Sequence, residues 1–340
     1  MASAPDVRKL TAPWLLCILV YCVSTAIFNR PGSAEEPQVS IEPRVKPRGP
    51  ADKRSGDLGS ATLRVDSDLV LIPVTVTDSL NRFVTGLEKD HFKLYEDKVE
   101  QVITHFASED TPISMGLVFD CSGSMGDKLV KSREAVAQLI KTANPDDEFF
   151  LVEFNDRAAV VATLTKESGE IQNRLTFTQS KGRTALLDAI YLSMEEMRKA
   201  RNPRKALVII SDGGDNSSRY TIGEVKTRVR EADVQIYAIG ILEPSPSRGR
   251  TPEELSGPEL LSEIAEQTGG RLLEATNLND LPAIASKIGA ALRNQYVLGY
   301  SPSNVRRDGK YHKVRLKLVK AKGWPSLRAY WRLGYYSPAQ

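Results

Sequence analysis

The sequence contains few residues of the types that build disulfide frameworks and metal cages. Of its 340 residues three are cysteines, and two of these, Cys17 and Cys22, lie in an apolar run near the N-terminus. If that run is removed on export, Cys121 alone remains, which excludes an internal disulfide framework and a cysteine-based zinc cage. Histidine is equally scarce, so histidine-rich metal chemistry is poorly supported. The three histidines are His91, His105 and His312.

Neither an internal repeat nor a glycine-rich phosphate loop ending in Lys-Ser/Thr is present in the sequence. No single charge sign dominates, because 46 basic residues face 43 acidic ones, a net charge of +3. This balance argues against a protein whose whole surface binds nucleic acid. The charge is unevenly spread, however, since residues 301–340 carry ten Lys/Arg and one acidic residue, Asp308. This basic C-terminal segment could favour an anionic partner.

The N-terminus has the pattern of an export signal. Arg8 and Lys9 precede an apolar run over residues 10–28. Small residues near Ala26, and again at 32–34, offer cleavage sites. The run is also close to the length of a membrane span, so an uncleaved anchor is the alternative. Either way, positive charge before the run predicts that the rest of the chain is extracytoplasmic, in a secreted or periplasmic protein.

Two flanking stretches show the alternation of β-strands. Apolar residues recur at every second position over residues 70–76 and again over 314–318 and 327–333. Such alternation marks one buried face of a strand. A further strand is expected over residues 99–106. Neither flank has enough strands to be stable alone, so we expect the two to pair into one small antiparallel β module.

The middle of the chain alternates strands and helices. Short apolar runs at 115–119, 149–154, 206–210 and 234–239 predict strands that are buried on both faces. Helical spacing of apolar residues separates them. This order specifies a Rossmann-like, doubly wound, mostly parallel sheet with helices on both faces.

These patterns predict an α/β fold inserted in the β module, after an N-terminal signal or anchor segment. The expected parts are a signal or anchor at 1–34, a proline-rich linker at 35–59, the first part of the β module at 60–110, the α/β domain at 111–294, and the basic second part of the β module at 295–340.

The most informative segment is a run of oxygen-bearing residues directly after the first predicted parallel strand. Residues 119–125 read Phe-Asp-Cys-Ser-Gly-Ser-Met. In open α/β sheets, ligands bind outside the carboxyl ends of the strands, where this turn is expected to lie. Asp120, Ser122 and Ser124 can direct one carboxylate and two hydroxyls to a common point, and hard oxygen donors of this kind suit Mg²⁺. A serine-rich turn that only caps the next helix is the alternative.

Two later segments add oxygen donors at the same edge of the predicted sheet. Thr184 lies just before the helix that contains Leu187 and Ile190. Asp212 follows the strand predicted at 206–210. Three separate carboxyl-end loops therefore supply candidate ligands, which makes a helix cap the less satisfactory explanation.

This combination resembles the metal-ion-dependent adhesion site of von Willebrand factor A domains. A D-x-S-x-S turn, a later threonine and a later aspartate occur in the same order in both. The resemblance implies that Ser122, Ser124 and Thr184 contact the ion, while Asp120 and Asp212 act directly or through water. It also implies Mg²⁺ as the cofactor, with Mn²⁺ or Ca²⁺ as alternatives.

The wider layout resembles a family of A-domain-related proteins that is common in acidobacteria. In both, a β segment with an F-x-x-Y-E-D-like stretch precedes the A domain, and a basic, aromatic tail follows it. In this sequence the stretch comprises Phe92, Tyr95, Glu96 and Asp97, and the tail extends from residues 296–300 to residues 334–336.

The expected function is metal-dependent protein binding and not catalysis. Two carboxylates and neutral hydroxyls leave the charge of a cation incompletely screened, so an open coordination position can accept an Asp or Glu carboxylate from a protein partner. A metal-assisted hydrolase is an alternative, but residues 113–294 contain no histidine to serve as a base. The other alternative is a structural envelope component with a stabilising metal.

The basic C-terminal part predicts contact with an anionic envelope surface, or simply a solvated strand face. Nucleic acid is not an expected partner.

Overall fold

A computed structural model describes residues 69–108, 110–241, 252–303, 308–319 and 323–338; for residues 252–255 it describes the backbone alone. The expected signal or anchor at 1–34 and the linker at 35–59 lie outside the described residues. Among the helices that the structure describes, none is long and apolar enough to cross a membrane.

Six strands form the central sheet of an α/β domain that extends from residue 113 to residue 293. Its strands are β5 (Ile113–Asp120), β6 (Glu148–Phe154), β7 (Ala158–Thr165), β8 (Arg204–Ser211), β9 (Gln235–Ile241) and β10 (Leu272–Ala275). Their spatial order is β10-β9-β8-β5-β6-β7. All neighbours pair in parallel except β6 and β7, which are antiparallel. The doubly wound, mostly parallel sheet expected from the sequence is confirmed.

Helices cover both faces of this sheet because its strands carry apolar side chains on both faces. Every residue of β5 is buried. Met115, Leu117 and Phe119 pack on one face, and Val118 packs on the other. The helices are α1 (Leu129–Lys141), α2 (Ser168–Thr176), α3 (Leu186–Met197), α4 (Ile222–Glu231), α5 (Pro252–Gln267) and α6 (Leu281–Arg293). The core with Met115 contains residues of α1, α2 and α6, and the core with Val118 contains residues of α3, α4 and α5.

Eight further strands among the described residues form a β sandwich that combines both flanks of the chain. They are β1 (Val70–Asp78), β2 (Phe92–Glu96), β3 (Val99–Gln101), β4 (His105–Ala107), β11 (Gln295–Tyr300), β12 (Tyr311–Leu318), β13 (Leu327–Trp331) and β14 (Gly334–Tyr336). One sheet has the order β13-β1-β11-β4 and the other β14-β12-β2-β3. Each sheet therefore contains strands from before and after the α/β domain. Buried side chains of both sheets, among them Ile72, Leu94, Tyr296 and Leu316, share one apolar core.

The single strand expected over residues 99–106 is instead two short strands. β3 ends at Gln101 and pairs with β2, whereas β4 begins at His105 and pairs with β11 in the other sheet. Thr104 follows the break and donates its backbone N–H to the carbonyl of Gly299 (2.8 Å). Val99 and Val102 are exposed, whereas Ile103 and Phe106 contact the core of the sandwich, so the apolar residues of this stretch do not mark the change of sheet.

The α/β domain contacts the β sandwich near the amino ends of its strands. Gln235, the first residue of β9, accepts a hydrogen bond from Gln295 Nε2 at 2.7 Å. Arg332 Nη1 lies 2.7 Å from Asp233 Oδ1, just before β9. The carboxyl ends of β5 and β8 lie at the opposite edge, about 20 Å away for strands of this length. That edge therefore faces away from the sandwich.

Candidate metal site at the carboxyl ends of the strands

The first loop of the site begins with Asp120, the last residue of β5. Its side chain is fully buried and accepts two hydrogen bonds. Oδ1 accepts the backbone N–H of Ser122 at 2.8 Å, and Oδ2 accepts the hydroxyl of Ser211 at 2.6 Å. Because Ser211 ends β8, the carboxylate of Asp120 links the carboxyl ends of two neighbouring strands.

A chain of side-chain contacts continues from this loop to Asp212. The hydroxyls of Ser122 and Ser124 lie 3.1 Å apart. Ser124 Oγ donates to Asp212 Oδ1 at 2.9 Å. Ser122 and Asp212 are buried, whereas Ser124 is exposed. Four of the five candidate residues are thus adjacent, and Ser124 is the one that opens the group to solvent.

Thr184 lies on a third loop, which is hydrogen-bonded to the other two. The carbonyl of Gly182 accepts the N–H of Gly123 at 3.0 Å. Gly182 has φ +76°, and a Cβ there would lie 2.3 Å from Asp156 Oδ2, so glycine is required at this close approach. Thr184 itself donates its backbone N–H to Asn216 Oδ1 at 2.9 Å. Its side chain is buried just before α3, and the backbone contacts fix the loop beside the other two.

Lys128 is a site residue that the sequence reasoning did not assign. Its side chain is 3% exposed, and its Nζ donates to Asp212 Oδ2. The residue directly precedes α1, and its backbone N–H donates to the carbonyl of Met125 at 3.0 Å. A lysine four positions after the second serine was a signal available in the sequence. Its burial, however, depends on how α1 packs against the sheet.

The site contains two buried carboxylates, those of Asp120 and Asp212, and one buried ammonium, that of Lys128. Burial, and then the charge of Asp212, raises the pKa of Asp120 to about 6, although hydrogen bonds from Ser122 and Ser211 oppose the shift. The ammonium of Lys128 offsets the charge of Asp212. The ionised form of Asp120 therefore lacks a counter-charge of its own, and such a site fits a divalent cation held by carboxylate and hydroxyl oxygens.

Cys121, which lies between the site residues, is not a candidate nucleophile. Its thiol is buried and donates to the carbonyl of Phe154 at 3.2 Å. Burial, and then the charges of Glu153 and Asp120, raises its pKa to about 12. Since the thiolate is the reactive form, burial and the raised pKa keep this thiol unreactive.

The fold and the loops define the class of protein. A doubly wound sheet carries three hydrogen-bonded loops with carboxylate and hydroxyl side chains at its carboxyl edge. The model of the von Willebrand factor type A domain matches residues 115–287, just over half of the chain. The chain belongs to this family. Domains of the family are typically protein-interaction and adhesion modules, and they often bind a divalent metal ion.

Two curated relatives match part of the chain. Inter alpha-trypsin inhibitor, heavy chain 4, from Mus musculus is 30% identical over 146 residues, which is 38% of this chain and 16% of that protein. The heavy chain H4 of the inhibitor from Bos taurus is 25% identical over 145 residues, again 38% and 16%. The matched segment thus spans about a sixth of the length of these relatives.

Solved structures are similar at low sequence identity. A von Willebrand factor type A protein from Catenulispora acidiphila has a TM-score of 0.46 and 14% identity, over 80% of this chain and 74% of that one. The PilB minor pilin from Streptococcus sanguinis has a TM-score of 0.44 and 16% identity, over 55% and 63%.

Proposed function

We propose that this protein is an extracytoplasmic, Mg²⁺-dependent binding module that recognises a carboxylate on a protein partner. The observation that carries the proposal is the continuous group formed by Asp120, Ser122, Ser124 and Asp212, with Thr184 on the adjoining loop. These residues would hold Mg²⁺, which would supply the positive charge that binds the partner's carboxylate. Mn²⁺ or Ca²⁺ suits the same oxygen donors.

The residues of the site have separate tasks in this proposal. Asp120 supplies buried negative charge whose ionised form a cation would stabilise. Ser122 and Ser124 supply neutral oxygens, so the bound cation keeps part of its charge for a partner. The ammonium of Lys128 holds Asp212 in place and prevents the site from becoming doubly anionic. Solvent reaches the group at Ser124, and a partner would approach from there.

The fold favours binding at this edge over catalysis. All three histidines of the chain lie outside the α/β domain: His91 between β1 and β2, His105 on β4 and His312 on β12. A metal-assisted hydrolase would need a base beside the ion. The buried thiol of Cys121, with its raised pKa, does not meet that need.

A second surface suits an anionic envelope component. Lys313, Arg315 and Lys317 are exposed on one face of β12, and they line a groove of about 400 Å³ with Tyr95, Lys98 and one acidic residue, Asp97. The ammonium of Lys317 lies 5.2 Å from the centre of the Tyr95 ring. We infer that this groove contacts anionic surfaces while the carboxyl edge of the α/β domain stays accessible.

The proposal extends to the organisation of the whole chain. We propose a signal or anchor at 1–34, a linker at 35–59 and an α/β domain at 111–294 between the two parts of the β module, 60–110 and 295–340. Pairing of β1 with β11 and of β2 with β12 supports a module with two covalent connections to the α/β domain. Two connections restrict the orientation of the site more than one tether would.

The test of the proposed function is capture of a partner from an envelope extract. Immobilised protein should retain a partner in Mg²⁺ and release it in chelator. Capture should be lost after the carboxylates of the extract are converted to amides. Asp120→Ala should abolish capture, whereas Asp127→Ala, which removes an exposed carboxylate of the same loop, should not. Capture that survives chelator and Asp120→Ala would refute the proposal.

A further inference from the structure

A second cluster of metal-ligating side chains lies in the β sandwich, remote from the candidate site. Glu96 ends β2, Asp97 follows it in the turn to β3, and His312 lies on β12. One ligand atom from each residue lies within 4.8 Å of the others. The side chains of Glu96 and His312 are 6% and 9% exposed, and that of Asp97 is 51% exposed. Two of the three side chains are therefore held in the protein interior, and solvent reaches the cluster at Asp97.

The imidazole of His312 lies between carboxylates on both of its nitrogens. Nδ1 is 2.8 Å from Asp97 Oδ2 and 3.6 Å from Glu96 Oε1. Nε2 is 3.4 Å from Asp308 Oδ1, and Asp308 is in turn held by the hydroxyl of Ser337 at 3.0 Å. A histidine that gives one N–H to a carboxylate and turns its other nitrogen toward further ligands has the arrangement found around metal-bound imidazoles.

Each carboxylate of the cluster has one oxygen occupied by protein donors and the other turned toward His312. Glu96 Oε2 accepts the hydroxyls of Tyr300 (2.6 Å) and Tyr335 (3.0 Å). Burial raises the pKa of both phenols, so they remain donors. Asp97 Oδ1 accepts the backbone N–H of Lys313 at 3.0 Å. The oxygens that face the imidazole are thus positioned by contacts outside the cluster.

The separations within the cluster suit a small divalent ion. Ligand atoms on one tetrahedral zinc lie about 3.3 Å apart, since each lies about 2.0–2.1 Å from the ion. The separations of 2.8 and 3.6 Å from Nδ1 lie on either side of that value. One imidazole with two carboxylates is also a donor set that Zn²⁺ accepts readily, whereas Mg²⁺ prefers oxygen alone.

We propose that Glu96, Asp97 and His312 bind Zn²⁺, with Asp308 orienting the imidazole. This site is independent of the proposed site at the carboxyl edge of the α/β domain. Asp97 and His312 are 215 residues apart in sequence, on opposite sides of that domain. The ion would therefore join the two parts of the β sandwich and stabilise their pairing.

The test uses the full chain in excess Mg²⁺, with histidine-selective NMR as the readout. The chain has three histidines, and His91→Gln and His105→Gln assign the third signal by elimination, without altering the cluster. One equivalent of Zn²⁺ should shift the signal of His312 and raise the melting temperature. A His312 signal that does not respond to Zn²⁺ at millimolar concentration would overturn the proposal.

Variants then separate zinc binding in the cluster from binding elsewhere in the chain. By calorimetry, His312→Gln should lose Zn²⁺ binding, and Asp308→Asn should weaken it about 10- to 100-fold, as loss of an orienting partner does. His105→Gln is the matched control and should bind as the parent does. Equal affinity in Asp308→Asn and the parent would contradict the assigned role of Asp308. Unchanged binding in His312→Gln would place the zinc elsewhere and refute the site.

Discussion

The α/β domain and the β sandwich differ in how the chain builds them. The α/β domain uses one continuous segment, and its candidate metal site comes from loops within that segment. Each sheet of the sandwich instead combines strands from both sides of the domain. The Glu96–Asp97–His312 cluster is divided in the same way. The domain is therefore expected to fold alone, whereas the sandwich depends on strands that are distant in sequence.

Ending the chain at Asn294 should give the largest difference between the two regions. The truncation removes both partners of β1 (β11 and β13) and the central partner of β2 (β12). The strands left behind are too few to bury a core. Amide exchange should show loss of protection over residues 70–107 and retained protection in the α/β domain. Full protection of residues 70–107 would mean that the chain consists of independent parts.

Replacing Lys128 with methionine should destabilise the α/β domain and leave the sandwich unaffected. The change leaves the buried carboxylate of Asp212 without its ammonium, a loss typically worth about 3–5 kcal/mol of unfolding free energy. Mg²⁺ should restore part of the loss. The matched control is Lys131→Met, which removes an exposed partner of Glu134 on the same helix and should cost at most about 0.5 kcal/mol. Equal effects of the two changes in urea unfolding would contradict the role given to Lys128.

The pH dependence of the metal-free protein should report on Asp120. Its pKa is raised from 3.8 to about 6 in the folded state, so between these values the folded protein binds more protons than the unfolded chain. The free energy of unfolding should therefore fall as pH rises through this window, by at most about 3 kcal/mol.

Asp120→Asn provides the comparison for this effect, because it removes the ionisable group with little change of shape. In chelator, the melting temperature of the parent should fall between about pH 4 and about pH 6, because that is the range between the two pKa values of Asp120. The melting temperature of Asp120→Asn should not show this decline. The variant should also be the more stable protein at neutral pH. A parallel decline in both proteins would assign the pH dependence to other groups.

The smallest effect is expected at the contact between the two regions. Arg332 Nη1 pairs with Asp233, whose side chain is 69% exposed. Exposed ion pairs contribute little because water screens them. Asp233→Ala, which removes the exposed partner and leaves the Arg332 side chain in place, should lower the unfolding free energy by about 1 kcal/mol or less. A loss of several kcal/mol in urea unfolding would show that the domain and the sandwich depend on each other more than their separate cores indicate.

The features that follow from the parallel topology of the sheet could be predicted from the sequence alone. Asp120 and Asp212 end up together because each follows a buried strand, and neighbouring parallel strands end at one edge of the sheet. The β strand β7 was missed, however. Residues 158–162 form a short apolar run, but it was not assigned to a strand; β7 is an antiparallel edge strand whose residues are mostly only partly buried.

Features that depend on packing across the chain could not be obtained from the sequence. The burial of Lys128 depends on the path of the first turn of α1. The meeting of Glu96 with His312 depends on the register of β2 and β12, in which Glu96 lies opposite Val314. That register joins residues more than 200 positions apart, and no local pattern encodes it. The change of sheet between β3 and β4 was missed for the same reason.

The central claim is that the carboxyl edge of the α/β domain binds a divalent cation through Asp120. Titration calorimetry with Mg²⁺ on the full chain tests it most directly, with Asp120→Ala and the control Asp127→Ala measured beside the parent. We expect one Mg²⁺ to bind to the parent and to the control, and binding to be lost in Asp120→Ala with the fold retained. Equal Mg²⁺ affinity in Asp120→Ala and the parent would contradict the site assignment.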